Sequence, residues 1–181
     1  MTITDVQADV RRAYRGGFSG PLISAIVWAV ANTIYLLVSP GAAMAALFFG
    51  GMLIFPLSAV ILKTMPGRSS LPKGHASSAL AMQSAFTVPV GLLVAIALGT
   101  YEPVLFFPAS LLIVGAHYFV FVTLYGTKTF ALLGGALVVL GAIGMYFVPA
   151  IGAVSGWIGG AVFLAFTPFL FGKAQGDWAR Q

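Results

Sequence analysis

Six stretches without a single Asp, Glu, Lys or Arg constrain this chain more than any other feature. Each is 19 to 22 residues long, and about 20 helical residues cross the hydrocarbon core of a bilayer. They lack the polar–apolar alternation of lipid-facing strands, and a helix satisfies its own backbone hydrogen bonds in lipid. We therefore predict an all-α, polytopic integral membrane protein with six transmembrane helices. These spans 1 to 6 are 21–39, 42–62, 79–99, 104–125, 129–148 and 151–171.

Composition supports the same class of protein. Only 7% of the residues are charged and 60% are hydrophobic, whereas soluble domains are about 25% charged. The predicted surface therefore contacts the lipid bilayer. The chain has no cysteine, which excludes disulfides and thiolate metal sites. Its net charge of +5 is distributed too unevenly to indicate a nucleic-acid partner.

The positive residues predict the orientation. All nine Lys and Arg residues precede span 1, follow span 6, or lie between spans 2 and 3 or spans 4 and 5. The opposite loops carry only Glu102 as a charged residue. Because Lys and Arg accumulate on the cytoplasmic side, we expect both termini to be cytoplasmic and the protein to lie in the inner membrane of the cell.

The chain divides into a cytoplasmic amphipathic segment, 1–20, a six-helix transmembrane domain, 21–172, and a cytoplasmic tail, 173–181. In the first segment Val6, Val10 and Tyr14 recur every four residues, and Thr2 or Thr4 is a candidate N-cap. We expect this helix to lie on the lipid surface. The loop 64–78 is rich in Pro, Gly and Ser, which predicts irregular structure with a solvated histidine at position 75.

Polar residues inside the spans are the candidate functional groups, because burying an unpaired polar group in hydrocarbon costs several kcal/mol. At about 1.5 Å per residue, Asn32, Thr87 and His117 lie roughly 12–17 Å deep, near the midplane. A second layer lies roughly 4–6 Å deep, and the two layers predict a polar interior that opens toward the cytoplasm. The shallower layer consists of Ser24, Ser58, Gln83 and Thr167.

Span 4 arranges its polar residues along one face. Ser110, His117 and Lys128 are seven and eleven residues apart, and both separations return to the same side of a helix. One interpretation is a proton or ligand path that also uses the other two midplane residues and Gln83. The alternative is a neutral His117 that is hydrogen-bonded across a helix interface to Gln83 or to one of those midplane residues. No span contains a carboxylate, which argues against a proton pump.

Span 6 carries the clearest packing signal. Gly152, Gly156 and Gly160 are four residues apart and share a face, and small residues at this spacing let membrane helices approach closely. They predict either a homo-oligomer interface or packing against another span of the same chain.

Enzymatic patterns are missing from the sequence. The four acidic residues lie outside the spans, so no paired-carboxylate site is expected in the membrane. Two histidines and no cysteine provide too few metal ligands, and no glycine-rich phosphate loop is present. We therefore expect no enzyme, no metal and no cofactor.

Four motifs in order resemble an uncharacterised family of small bacterial multi-span membrane proteins. They are "GPLISAIVW" in span 1, "PLSAVILK" in span 2, a lone Gln in span 3 and "GAHYFVFVTLYGTK" in span 4, and they cover roughly residues 20–128. Leu62 departs from the pattern, which has a small polar residue there. The resemblance implies a multi-helix membrane fold and brings no activity with it. The matching residues are Gly20, Pro21, Trp28, Pro56, Leu57, Lys63, Gln83, Gly115, Ala116, His117, Leu124, Tyr125 and Lys128.

Two functions fit the sequence. The first is a small-solute or ion transporter or permeation protein, forming a homo-oligomer, with its polar site around His117. The second is a non-transporting sensor, chaperone or partner-binding subunit that uses the glycine face of span 6 or the loop 64–78.

Overall fold

The computed structural model describes residues 2–65 and 70–178, with side chains described as far as Gly172. Helices account for nearly all of this part of the chain, and the predicted tail 173–181 lies outside the described side chains. The α-helices are α1 (Ile3–Ala13), α2 (Ser19–Leu37), α3 (Pro40–Lys63), α4 (Ser77–Tyr101), α5 (Phe106–Tyr125), α6 (Thr129–Ala142) and α7 (Ser155–Trp178). Short 3-10 turns precede α2, α5 and α7, and a π-helical turn, Ile143–Phe147, follows α6.

For the described residues, the predictions of an all-helical fold and of six helices able to span a membrane are confirmed. Six segments are long and apolar enough to cross a membrane, and they correspond to α2 through α7 with their adjoining turns. The spans start earlier than predicted in places; α2 begins at Ser19, before Pro21. The first turn of a helix lacks intrahelical partners for its N–H groups, so a proline is tolerated there.

The six spans form a ring in chain order. Each packs against its neighbours, α7 closes the ring against α2, and α5 also contacts α7 across it. The tightest pair is α5 and α6, where Gly115 and Gly134 face each other; a methyl group at Gly134 would stand 2.7 Å from the Gly115 carbonyl oxygen. By contrast, α3 meets α4 only lightly. Half of the α5 span is buried (50%), against 17% for α3 and for α4.

The glycines before and within α7 pack inside the chain. A methyl group at Gly156 would stand 2.6 Å from Asn32 Oδ1, and one at Gly160 would stand 3.1 Å from the Ala25 carbonyl oxygen. Gly152 lies in the 3-10 turn that precedes the helix, against Val104. The glycine face is therefore covered by α2 and by the turn before α5, and it is not a surface through which copies of the chain associate.

Helix α1 begins with a capping box, in which Thr2 and Asp5 exchange side-chain-to-backbone hydrogen bonds of 2.8 and 3.3 Å. The helix packs against the bundle, so it is not a separate segment. Val10 is only 2% exposed, and two side chains cross to the carboxyl end of α5: Gln7 donates to the Thr123 carbonyl (2.8 Å) and Arg11 to the Tyr125 carbonyl (2.7 Å). Helix α1 thus satisfies carbonyls that α5 leaves unpaired at its end.

A tight turn joins α1 to α2. Arg15, Gly16 and Gly17 all have positive φ, at 46°, 67° and 78°. At Gly17 a side chain would be strained by its φ and would also stand 2.9 Å from the Tyr125 ring. The end of the bundle that carries α1, this turn and Lys63 is called the basic end below.

Candidate functional site

The candidate site is built around His117, where α5 meets α4. His117 is half-buried, and its Nδ1 lies 2.9 Å from the Ser84 hydroxyl oxygen. The Phe121 ring packs edge-on against the imidazole, with 4.7 Å between ring centroids. A structural histidine hydrogen-bonded across a helix interface was one of the two interpretations of the sequence. Its partner is Ser84, not Asn32, Thr87 or Gln83.

A second hydroxyl comes from α3. Ser58 is 9% exposed and its oxygen is buried, and among the described residues it has no hydrogen-bond partner. It continues a buried stripe of α3 that includes Leu47 and Leu62 and repeats every three to four residues. The antiparallel contact of Gly51 with Leu92 fixes the register of α3 and α4, and this register brings Ser58 level with Ser84.

A third pair links α2 to α5. The Tyr118 hydroxyl lies near the Ser24 side chain, and both residues are buried, at 4% and 3% exposed. Four spans therefore contribute polar side chains in the half of the bundle nearest the basic end. We call the set Ser24, Ser58, Ser84, His117 and Tyr118 the polar layer.

Aromatic packing closes the bundle on the far side of this layer. Phe107 is fully buried and lies 5.6 Å from Tyr35 and 6.1 Å from Trp28 between ring centroids. Trp28 also packs against Phe163, with 5.7 Å between centroids. These rings lie farther from the basic end than the polar layer does.

Two of the predicted site residues serve the packing of the bundle. Asn32 is fully buried; it donates to the Ala153 carbonyl (2.9 Å) and accepts from the Trp157 backbone N–H (3.1 Å), which ties α2 to α7. Ser110 is also fully buried and donates to the Phe106 carbonyl of its own helix (2.8 Å). The structure therefore places both residues outside the polar layer.

The other three predicted residues lie on the surface. Gln83 and Thr87 are exposed on the side of α4 that faces away from α3, and Thr87 donates to the Ser84 carbonyl (2.7 Å). Lys128 is exposed at the basic end, just before α6. The three residues of the predicted face therefore lie in different surroundings. Ser110 is a buried packing residue, His117 is half-buried, and Lys128 is exposed at the surface.

Sequence reasoning missed Ser84 and Tyr118. Serine and tyrosine are common in membrane helices, so their presence in a span does not by itself indicate a functional site. A signal existed for Ser84, because it shares a face with Gly91 and Ala95. A face of small residues indicates a close helix neighbour, and here that neighbour is α5.

A separate ionic cluster joins α1 to the loop before α4. The His75 side chain is only 3% exposed, so the expectation of a solvated histidine is wrong. Its Nδ1 accepts from the Ser77 backbone N–H (3.2 Å), and its Nε2 lies 3.6 Å from an Asp9 carboxylate oxygen. A hydrogen bond from Arg12 lowers the pKa of Asp9 below its ordinary value, and the nearby His75 lowers it further.

Two further observations on the described residues bear on metal and ligand binding. Among the described residues, no group of three His, Cys, Asp or Glu side chains could hold a metal ion. An apolar cleft of about 490 Å³ opens between α3 and α7 at the basic end. It is lined by Phe18, Ile61, Met65, Leu164, Thr167, Pro168 and Phe171.

Comparison with known proteins gives a family and no activity. No curated protein and no solved structure shows significant similarity to the chain. The sequence profile of a family of unknown function (DUF7010) matches residues 3–172, which takes in α1 and all six spans. The chain therefore belongs to this family of unknown function.

Proposed function

We propose that the protein moves a small solute across a membrane and that the solute passes the polar layer. The basic end would face the cytoplasm of a cell with an inner membrane, because Lys and Arg accumulate on that side. The observation that carries the proposal is the His117–Ser84 hydrogen bond. It places a half-buried pair of polar side chains where two spans meet.

The arrangement of the spans supports this role. Polar groups within a bilayer are costly and mark pathways through helix bundles, and here four spans contribute them in one half of the bundle. α3 contacts α4 where Gly51 meets Leu92 and where Met44 meets Gly99, and the two helices meet only lightly overall. We place the route of the solute between these two helices, with the aromatic rings as the barrier behind the layer.

Flux through purified protein in liposomes tests the proposal. We expect His117→Ala and Ser84→Ala to lower the flux of the transported solute by about tenfold or more, since each removes one half of the pair. Ser110→Ala is the matched control, because Ser110 bonds only its own helix and lies outside the polar layer. A wild-type protein that moves nothing in a broad screen of ions and neutral solutes would count against transport.

One observation favours a second function, a partner-binding membrane subunit. Gln83 is exposed on a span, and an amide facing lipid is unfavourable unless another helix satisfies it. Thr87 lies one turn away on the same surface. If this is the function, Gln83→Leu with Thr87→Val will release a stoichiometric membrane partner on purification, whereas His117→Ala will retain it.

A further inference from the structure

We infer that the polar layer binds a small, neutral, hydrogen-bonding solute. The Ser58 hydroxyl, which bonds no described protein group, forms a hydrogen bond with this solute. The inference rests on the proposed function for the movement of this solute, and it adds the chemical class of the solute and a residue that binds it. The starting observation is the buried hydroxyl of Ser58, which lacks a hydrogen-bond partner among the described residues.

The state of Ser58 differs from that of other hydroxyls in the spans. Ser110 and Thr167 donate to the carbonyls four residues earlier, at 2.8 and 3.0 Å, which is the ordinary solution for a hydroxyl on a helix. Thr33 does the same at 2.9 Å. Ser58 makes no such bond. Because buried polar atoms in proteins are nearly always satisfied, a bound molecule is the natural partner for this oxygen.

The position of Ser58 points to the same place as the His117–Ser84 pair. It lies on the buried stripe of α3, and the register of α3 against α4 brings it level with Ser84. The Ser24–Tyr118 pair adds hydroxyls from α2 and α5. A molecule on Ser58 would therefore lie in the same half of the bundle as other groups that can donate or accept hydrogen bonds.

The chemistry of the layer selects a neutral molecule. Its members are three serines, a tyrosine and a histidine, and the spans around them contain no Asp, Glu, Lys or Arg. A charged solute would lose its hydration without gaining a counter-charge, which is strongly unfavourable. Hydroxyls both donate and accept, so short polyols and small amides match them, and glycerol and urea are suitable probes.

Cysteine labelling tests the binding part of the inference without requiring transport. The natural chain has no cysteine, so Ser58→Cys carries the only thiol. We expect the small neutral reagent methyl methanethiosulfonate to modify it, a quaternary-ammonium methanethiosulfonate to react at least tenfold more slowly, and glycerol or urea to slow the neutral reagent. Ser110→Cys, at a fully buried packing position, should stay unmodified. A Ser58→Cys protein that is inert, or that reacts equally fast with both reagents, overturns the inference.

Flux measurements separate the inference from the proposed function. In proteoliposomes we expect urea and glycerol to pass and methylammonium not to pass, and Ser58→Ala to slow urea about three- to tenfold, the effect of one neutral hydrogen bond. Passage of methylammonium alone, or a wild-type rate in Ser58→Ala, overturns the inference and leaves transport standing. Labelling and protection of Ser58→Cys without any wild-type flux overturns transport and leaves the neutral-solute site standing.

Discussion

At the scale of single residues, Asn32 shows how a polar group in the middle of a span can serve packing. Both ends of its amide are used: one donates to the Ala153 carbonyl and the other accepts from the Trp157 backbone. The Trp157 N–H lies in the first turn of α7, where backbone N–H groups have no carbonyl acceptor within the helix. Asn32 therefore acts as a cap supplied by a neighbouring helix.

Replacing Asn32 with leucine should lower the free energy of unfolding by about 1–3 kcal/mol, since two backbone groups at the α2–α7 contact lose their partner. Unfolding of purified protein in mixed micelles, followed by circular dichroism, measures the change. Thr100→Val is the control, because Thr100 is exposed and bonds only the Ala97 carbonyl of its own helix. Equal stability of the two variants would show that the α2–α7 contact does not depend on this amide.

At the scale of helices, α5 and α6 pack closely because glycines at their interface let the two backbones approach. Gly115 and Gly134 bring the two backbones into contact, and Gly141 does the same against Pro108 farther along; a methyl group there would stand 2.7 Å from the Pro108 carbonyl oxygen. Because lipid gives no hydrophobic drive for helices to associate, such close packing contributes much of their attraction. α5 is accordingly the most buried span.

Adding one methyl group tests this packing directly. Gly134→Ala should lower the free energy of unfolding by about 1–3 kcal/mol, because the Gly115 backbone cannot move aside without separating the helices. Gly135→Ala is a closely matched control, since a methyl group at Gly135 meets nothing within 4 Å. Thermal unfolding in detergent compares the two, and a Gly134→Ala protein as stable as Gly135→Ala would contradict the assignment.

The helices could be predicted from the sequence, whereas their contacts could not. The number of spans follows from the lengths of the charge-free segments, which can be read without knowing which helices pack together. The partner of His117 depends on how α4 is rotated and shifted against α5, and Ser84 and Gln83 are adjacent in sequence but face different surroundings. The packing role of Gly156 likewise depended on which span lies opposite, and that span is α2.

At the scale of the whole molecule, α1 connects parts of the chain that are far apart in sequence. It bonds the end of α5 through Gln7 and Arg11, and it meets the loop before α4 through Asp9 and His75. The basic end is therefore covered by a helix that lies outside the spans. Movement of α1 would affect α5, which carries His117, and the start of α4, which carries Ser84.

Acid should loosen this connection. The pKa of Asp9 is lowered by Arg12 and His75, so ionised Asp9 stabilises the fold above its ordinary pKa of 3.8, and this contribution is lost as the pH falls through the lowered value. Hydrogen exchange of α1 should therefore rise relative to α5 in strongly acidic buffer, after correction for the intrinsic effect of pH. Asp9→Asn should show raised α1 exchange already at pH 7. If this variant exchanges like wild type at every pH, Asp9 does not hold α1 in place.

The bonds from α1 to α5 also impose an order on biogenesis. The ribosome makes Gln7 and Arg11 first, and their acceptors on Thr123 and Tyr125 emerge 116 and 114 positions later. The docking of α1 on the end of α5 can therefore occur only after α5 has been synthesised, so these two bonds form late relative to the helix that donates them.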